Sequence, residues 1–105
     1  MEIICLLADI FFVPEISKIF KGHEIQFLDN YKDEKFDLLI IDLDHSQSYE
    51  VCKKFPEKSF CFGSHKNTEL MHKFAQTGCK SVVAISALKK KLEETNQSAR
   101  LSLHS

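Results

Sequence analysis

The chain has 105 residues, 44% apolar and 28% charged, and its 14 basic and 15 acidic side chains leave a net charge of −1. That balance excludes a disordered chain and gives no bulk attraction for nucleic acid or an anionic membrane. A single domain with little core to spare is the expected size class.

Residues 2–8 (EIICLLA) form a short continuous apolar run, the pattern of a strand covered on both faces. The wider stretch 3–13 is almost wholly apolar, but Asp9 interrupts it and no basic residue precedes it. It falls far short of the roughly 20 residues of a membrane span, so a buried strand is expected rather than a span or a signal peptide. Pro14 opens a first helix with Ile16, Ile19 and Phe20 as its apolar stripe, and Gly22 ends it. Residues 24–28 make a weaker strand that Gln26 marks as an edge.

Residues 29–35 are polar and carry no helical stripe, so no helix is expected between the second and third strands. Residues 36–43 (FDLLIIDL) are the clearest central strand, and 46–55 form a short helix stopped by Pro56. Residues 59–62 are a fourth strand. A helix over 67–77 follows, with Asn67 as its cap, Glu69 at its positive end and Leu70, Met71, Phe74 and Ala75 as its stripe. Gly78 closes it, 80–85 are a fifth strand, and Ser86 caps a last helix carrying Leu88 and Leu92. The domain is expected to span 1–95, with 96–105 a polar, frayed tail.

Cys5, Cys52, Cys61 and Cys79 include no C-x-x-C pair, and three sit in or beside apolar runs. Free, mostly buried thiols in a reducing, cytoplasmic compartment are expected.

Strands alternating with helices mean a parallel sheet with right-handed crossovers, and such sheets bind ligands at the carboxyl ends of their strands. At that edge the sequence places Asp9, Phe11 and Phe12 after strand one; Asp42, Asp44 and His45 at the end of strand three; Gly63, Ser64 and His65 after strand four; and Ser86 after strand five. Asp9, Asp42 and Asp44 are candidate carboxylates for a hard cation such as Mg²⁺. Asp9, Asp42, Asp44, His45 and His65 have the ligand types of a transition-metal site, against which stands their scatter over separate loops. Cys61 with His65 is a possible thiol–imidazole pair, against which stands a cysteine inside a strand between Phe60 and Phe62. His23, His72 and His104 read as surface histidines, and Lys89, Lys90 and Lys91 as a solvated helix face. Phe11 and Phe12 either plug the core or fill the carboxyl-edge pocket.

Over residues 1–93 the chain resembles the receiver domains of two-component signalling. FDLLIIDLDHS resembles the strand bearing the phosphoacceptor aspartate, and FGSHKNTELMHKFAQTGCKSVVAISALKKKL a receiver's fourth strand through fifth helix. ADIFF, the Phe-Gly-Ser-His turn and the Gly-Cys pair are similar to small stand-alone receiver-like proteins. The resemblance implies a flavodoxin-like, three-layer α/β sandwich of five parallel strands in order 2-1-3-4-5, with the second helix missing. It also implies Asp42 as phosphoacceptor and Asp9 as one of the Mg²⁺-binding acids. The second acid, however, is Ala8 or Leu7; the hydroxyl residue after strand four is Gly63, with Ser64 one place along; and the lysine and proline ending strand five are Ile85 and Ser86.

Phosphoryl transfer is catalysed by positioning and charge neutralisation, so those departures point to a pseudo-receiver that binds a protein partner and is not an enzyme. The alternatives are a working receiver using Asp42 and Mg²⁺, and a small metal-dependent or thiol enzyme. With a helix missing, strands one and three are expected to leave part of an apolar face exposed, which a homodimer would cover. Nucleic acid and membrane are not expected partners.

Overall fold

The computed structural model describes the backbone of residues 1–104 and the side chains of residues 1–98. Five strands alternate with four helices: β1 (Glu2–Leu6), α1 (Val13–Ile19), β2 (Glu24–Phe27), β3 (Leu38–Asp42), α2 (Ser48–Lys54), β4 (Ser59–Gly63), α3 (Thr68–Ala75), β5 (Ser81–Ala84) and α4 (Leu88–His104). Single 3₁₀ turns precede α1, β4 and α4. All strand pairings are parallel and the order is β2-β1-β3-β4-β5, the flavodoxin-like topology that the resemblance to receivers implied. No helix among the described residues is long and apolar enough to cross a membrane.

The sheet separates two apolar clusters. Ile3, Cys5, Leu38, Ile40, Phe60 and Phe62 face Ile16 and Phe20 of α1 and Leu88 and Leu92 of α4. Ile4, Leu6, Leu39, Ile41 and Cys61 face Val51 and Cys52 of α2, Phe74 of α3 and Phe36 of the β2–β3 connection. The alternation of side chains along a strand assigns neighbours to opposite faces, which is why β1 and β3 must be apolar throughout. Gly22 (φ +94) and Gly78 (φ +80) end α1 and α3 in the left-handed region that a side chain disfavours. Asn67 stands at the N-cap of α3, yet its side chain makes no capping bond.

Three expectations need correction. β1 stops at Leu6, so the apolar run does not continue as buried strand: Ile10 and Phe11 lie in a 3₁₀ turn and are 84% and 76% exposed. Residues 96–104 are not a frayed tail in backbone terms, since α4 runs to His104. Asn96 is buried; its Nδ2 donates to Ile19 O (3.1 Å), and its Oδ1 lies 3.2 Å from Nε2 of the half-buried His23. The side chains of Leu101, Leu103 and His104 lie outside the described residues.

The third correction concerns the missing helix. No helix joins β2 to β3, as expected, but the face it would cover is not open: Ile4, Leu6, Leu39 and Ile41 are at most 1% exposed. An aromatic triad replaces the helix. The Tyr31 and Phe36 rings meet the Phe55 ring at centroid distances of 5.7 and 5.0 Å, and Phe36 is buried. Edge-on aromatic contacts of this kind cover much area for few ordered residues. The apolar patch from which a homodimer was inferred is therefore filled from within the chain.

Candidate functional site

Asp42 ends β3 at the centre of the carboxyl edge and is 5% exposed. Its Oδ2 accepts from the Ala8 N–H (3.2 Å) and its Oδ1 from the Asp44 N–H (3.0 Å). The carboxylate thus ties the turn after β1 to the turn after β3. Burial pushes its pKa up; the two N–H bonds oppose that, and the Asp44 charge adds to it.

A carboxyl whose folded pKa lies above its unfolded one adds stability that is complete below the unfolded pKa and lost as pH rises through the folded pKa. Asp42→Asn removes that titration. The stability difference between the native chain and Asp42→Asn, from urea unfolding at a series of pH values, is therefore expected to fall from acid towards neutral pH. A flat difference would contradict the buried-carboxyl reading.

The other candidates do not gather round Asp42. Asp9 is exposed and its Oδ1 accepts from the Phe11 N–H (2.9 Å), capping the 3₁₀ turn. Asp44 is exposed. Among the described residues, the one group of three or more His, Cys, Asp or Glu donor atoms within 4.8 Å is Cys52, Cys61 and Cys79. Asp9, Asp42 and Asp44 therefore do not bring three donor atoms within 4.8 Å of one another. The scattered set with His45 and His65 fares no better as a transition-metal site.

His45 is buried and structural. Its Nε2 lies 2.7 Å from Asp29 O and its Nδ1 accepts from the Gln47 N–H (3.0 Å), which selects the Nε2–H tautomer. Gln47 Oε1 in turn accepts from the Tyr31 N–H (2.7 Å), so this short chain of bonds pins the β2–β3 connection beside the aromatic triad. Ser64 and His65 are exposed in the turn after β4, while Cys61 points its sulfur at Cys52 (3.7 Å) on the sheet face under α2. Gly63 is buried against Leu43, and Ser86 is exposed within the 3₁₀ turn before α4.

The edge also carries exposed apolar groups. Ile10 and Phe11 after β1 and Ile85 after β5 (43% exposed) stand out from the fold. Phe11, Phe12, Pro14, Ile85, Ser86 and Lys89 line a groove of about 260 Å³. Phe12 plugs the core below, its ring 5.0 Å from the buried Phe62, while Phe11 stacks edge-on above it (5.4 Å). The two aromatics thus divide the roles that sequence left open. Ile10 and Ile85 were missed as surface groups because one continues the apolar run of β1 and the other follows β5 directly, and neither carries a polar signal. The larger depression, about 890 Å³, is at the opposite edge, near Glu2, Glu24, Asp33 and Lys58, away from the strand ends where such sheets bind ligands.

No protein-family model matches the chain, and no curated protein sequence does. Solved structures do match. A response regulator from Thermotoga maritima superposes with a TM-score of 0.71 at 12% identity, over 92% of this chain and 94% of that one. NtrX from Brucella abortus superposes with a TM-score of 0.65 at 16% identity, over 96% of this chain. A second NtrX structure, in complex with ADP, gives 0.65 at 12% identity. The chain spans 29% and 28% of those two NtrX chains. The identities are low and the superpositions nearly complete, so what this chain shares with response regulators is the fold: five parallel strands in the order 2-1-3-4-5 between two helical layers.

Proposed function

We propose that the chain is a receiver-like signalling and protein-interaction module, a pseudo-receiver that docks a protein partner at its carboxyl edge and does not run a full phosphoryl cycle. The observation that carries this reading is the exchange of charge for apolar surface. Ile85 stands where the resemblance expects a lysine, Ile10 and Phe11 stand in the turn after β1 that the Ala8 N–H ties to Asp42, and all three are exposed. Exposed apolar groups clustered beside a groove favour a protein contact over an anion. A phosphoryl group on Asp42 would lack the cation that stabilises it and would compete with the N–H donor on whichever oxygen it occupied. The net charge of −1 argues for protein rather than nucleic acid as partner, and four unbridged thiols suit the cytoplasm.

The test is incubation with Mg²⁺ and acetyl phosphate, then with a beryllium fluoride phosphate mimic, followed by mass and amide chemical shifts. No stable one-phosphate mass gain and no shift around Asp42 are expected. A gain that vanishes in Asp42→Asn would establish the alternative, a phosphoacceptor receiver using Asp42 and Mg²⁺. Self-association is the partner question open to direct measurement. Light scattering at micromolar concentration on the chain and on Phe11→Asp distinguishes a homodimer through the carboxyl edge from a monomer awaiting another protein.

A further inference from the structure

Three of the four thiols meet at one point that the carboxyl edge does not use. Cys52 comes from α2, Cys61 from the middle of β4 and Cys79 from the turn before β5, and their sulfur atoms all lie within 4.8 Å of one another. Cys52 and Cys61 are fully buried and Cys79 is half-buried. We propose that Cys52, Cys61 and Cys79 form a three-thiolate site for a thiophilic d¹⁰ metal ion, Zn(II) or Cu(I).

The geometry supports it. A metal–sulfur bond of about 2.3 Å, in tetrahedral or trigonal arrangement, sets neighbouring sulfurs about 3.8–4.0 Å apart. The Cys52 and Cys61 sulfurs are already 3.7 Å apart. Soft thiolates select Zn(II) and Cu(I) over the hard cations that carboxylates prefer. The supporting groups are also in place. The Thr77 hydroxyl lies 3.3 Å from the Cys52 sulfur and donates to Phe74 O (2.6 Å), which orients it. Gly78, at φ +80, lies between Thr77 and Cys79, both of which approach Cys52.

The Cys61 thiol donates to the Cys52 sulfur, so the two face each other before an ion arrives. Binding releases three thiol protons to solvent and moves no electron; the product carries a net charge of −1 for Zn(II) and −2 for Cu(I). Cys79, half-buried, marks the route in. The fourth thiol, Cys5, belongs to the opposite face of the sheet.

The experiment uses the reduced, metal-free full chain. Zn(II), and under anaerobic conditions Cu(I), are each titrated in competition with a chromogenic chelator, with melting temperature as a second readout. One ion per chain with nanomolar or tighter affinity for at least one of the two is expected, together with a raised melting temperature. Cys79→Ser, at the half-buried position, should weaken binding by at least about tenfold and shrink the thermal shift, because even a supporting group is worth that much. Cys5→Ala should leave both unchanged. Absence of stoichiometric binding for both ions with all four thiols reduced would overturn the proposal. So would binding that survives Cys79→Ser undiminished.

Discussion

Phe36→Ala is expected to cost about 3–5 kcal/mol, the range for deleting a large buried aromatic side chain. That is a large share of the roughly 5–15 kcal/mol that holds a domain of this size together. The physical reason is particular to this fold. Parallel strands are normally joined by a crossover of a dozen or more residues containing a helix, and β2 and β3 are joined by residues 28–37 without one. Phe36 and Tyr31 take over the covering role, with Phe55 beyond α2 completing the triad. Removing Phe36 takes the buried ring of the triad out of the cluster that holds Ile4, Leu6, Leu39 and Ile41, and leaves only the partly buried Leu28 and Tyr31 of this connection packed against it. Urea unfolding should show a lower midpoint with little change in slope. In native buffer the variant should also bind an apolar dye and self-associate, recreating the exposed face that a missing helix implies. A loss below about 1 kcal/mol with no dye binding would mean that the face is covered by something other than the triad.

That face shows where the sequence was legible and where it was not. The strands and helices could be read because burial on two faces demands uninterrupted apolar runs, and Gly22, Pro56 and Gly78 punctuate them. The absence of a helix over residues 29–35 was equally legible from the lack of a stripe. What could not be read was that Tyr31 and Phe36, two aromatics without helical spacing, meet Phe55 in space. That contact depends on the right-handed return of the chain over the sheet and not on any local pattern. The candidate site divides the same way. Asp42 at the end of β3 follows from the strand, but its two N–H donors come from two different turns. The thiol cluster had no sequence signal, since Cys52, Cys61 and Cys79 follow no ligand spacing and are joined only by the topology. Asn96 looked like the start of a polar tail because an amide has no apolar signature, though it bonds back to α1.

Gly63→Thr, which reinstates a hydroxyl residue where the receiver resemblance expects one, should destabilise the chain by about 1–3 kcal/mol, the usual cost of overpacking. A β-carbon at Gly63 would lie 2.7 Å from Leu43 Cδ1, 3.0 Å from its Cγ and 3.1 Å from its Cβ. The first contact is with the end of a side chain that can rotate; the other two bring the root of that side chain into the clash. Leu43 has little freedom to yield, being 4% exposed and packed within the cluster under α2. The glycine and the leucine are thus one feature: the space beside the end of β3 is spent on core packing. The test is a double-mutant cycle. Leu43→Ala alone should cost about 2–5 kcal/mol as a cavity, and Gly63→Thr added to it should cost at least about 1 kcal/mol less than in the native background, since contacting residues couple by about 0.5–3 kcal/mol. Simple additivity would show that the strain lies in the backbone of β4 rather than against Leu43. The double variant also bears on function. With the hydroxyl present and its space cleared, acetyl phosphate and Mg²⁺ should still leave Asp42 unmodified, because Ile85 supplies no charge and Asp9 remains engaged as a cap. Phosphorylation of the double variant but not of the native chain would place the block at Leu43 and Gly63 alone, and would mean that the remaining carboxyl edge is competent.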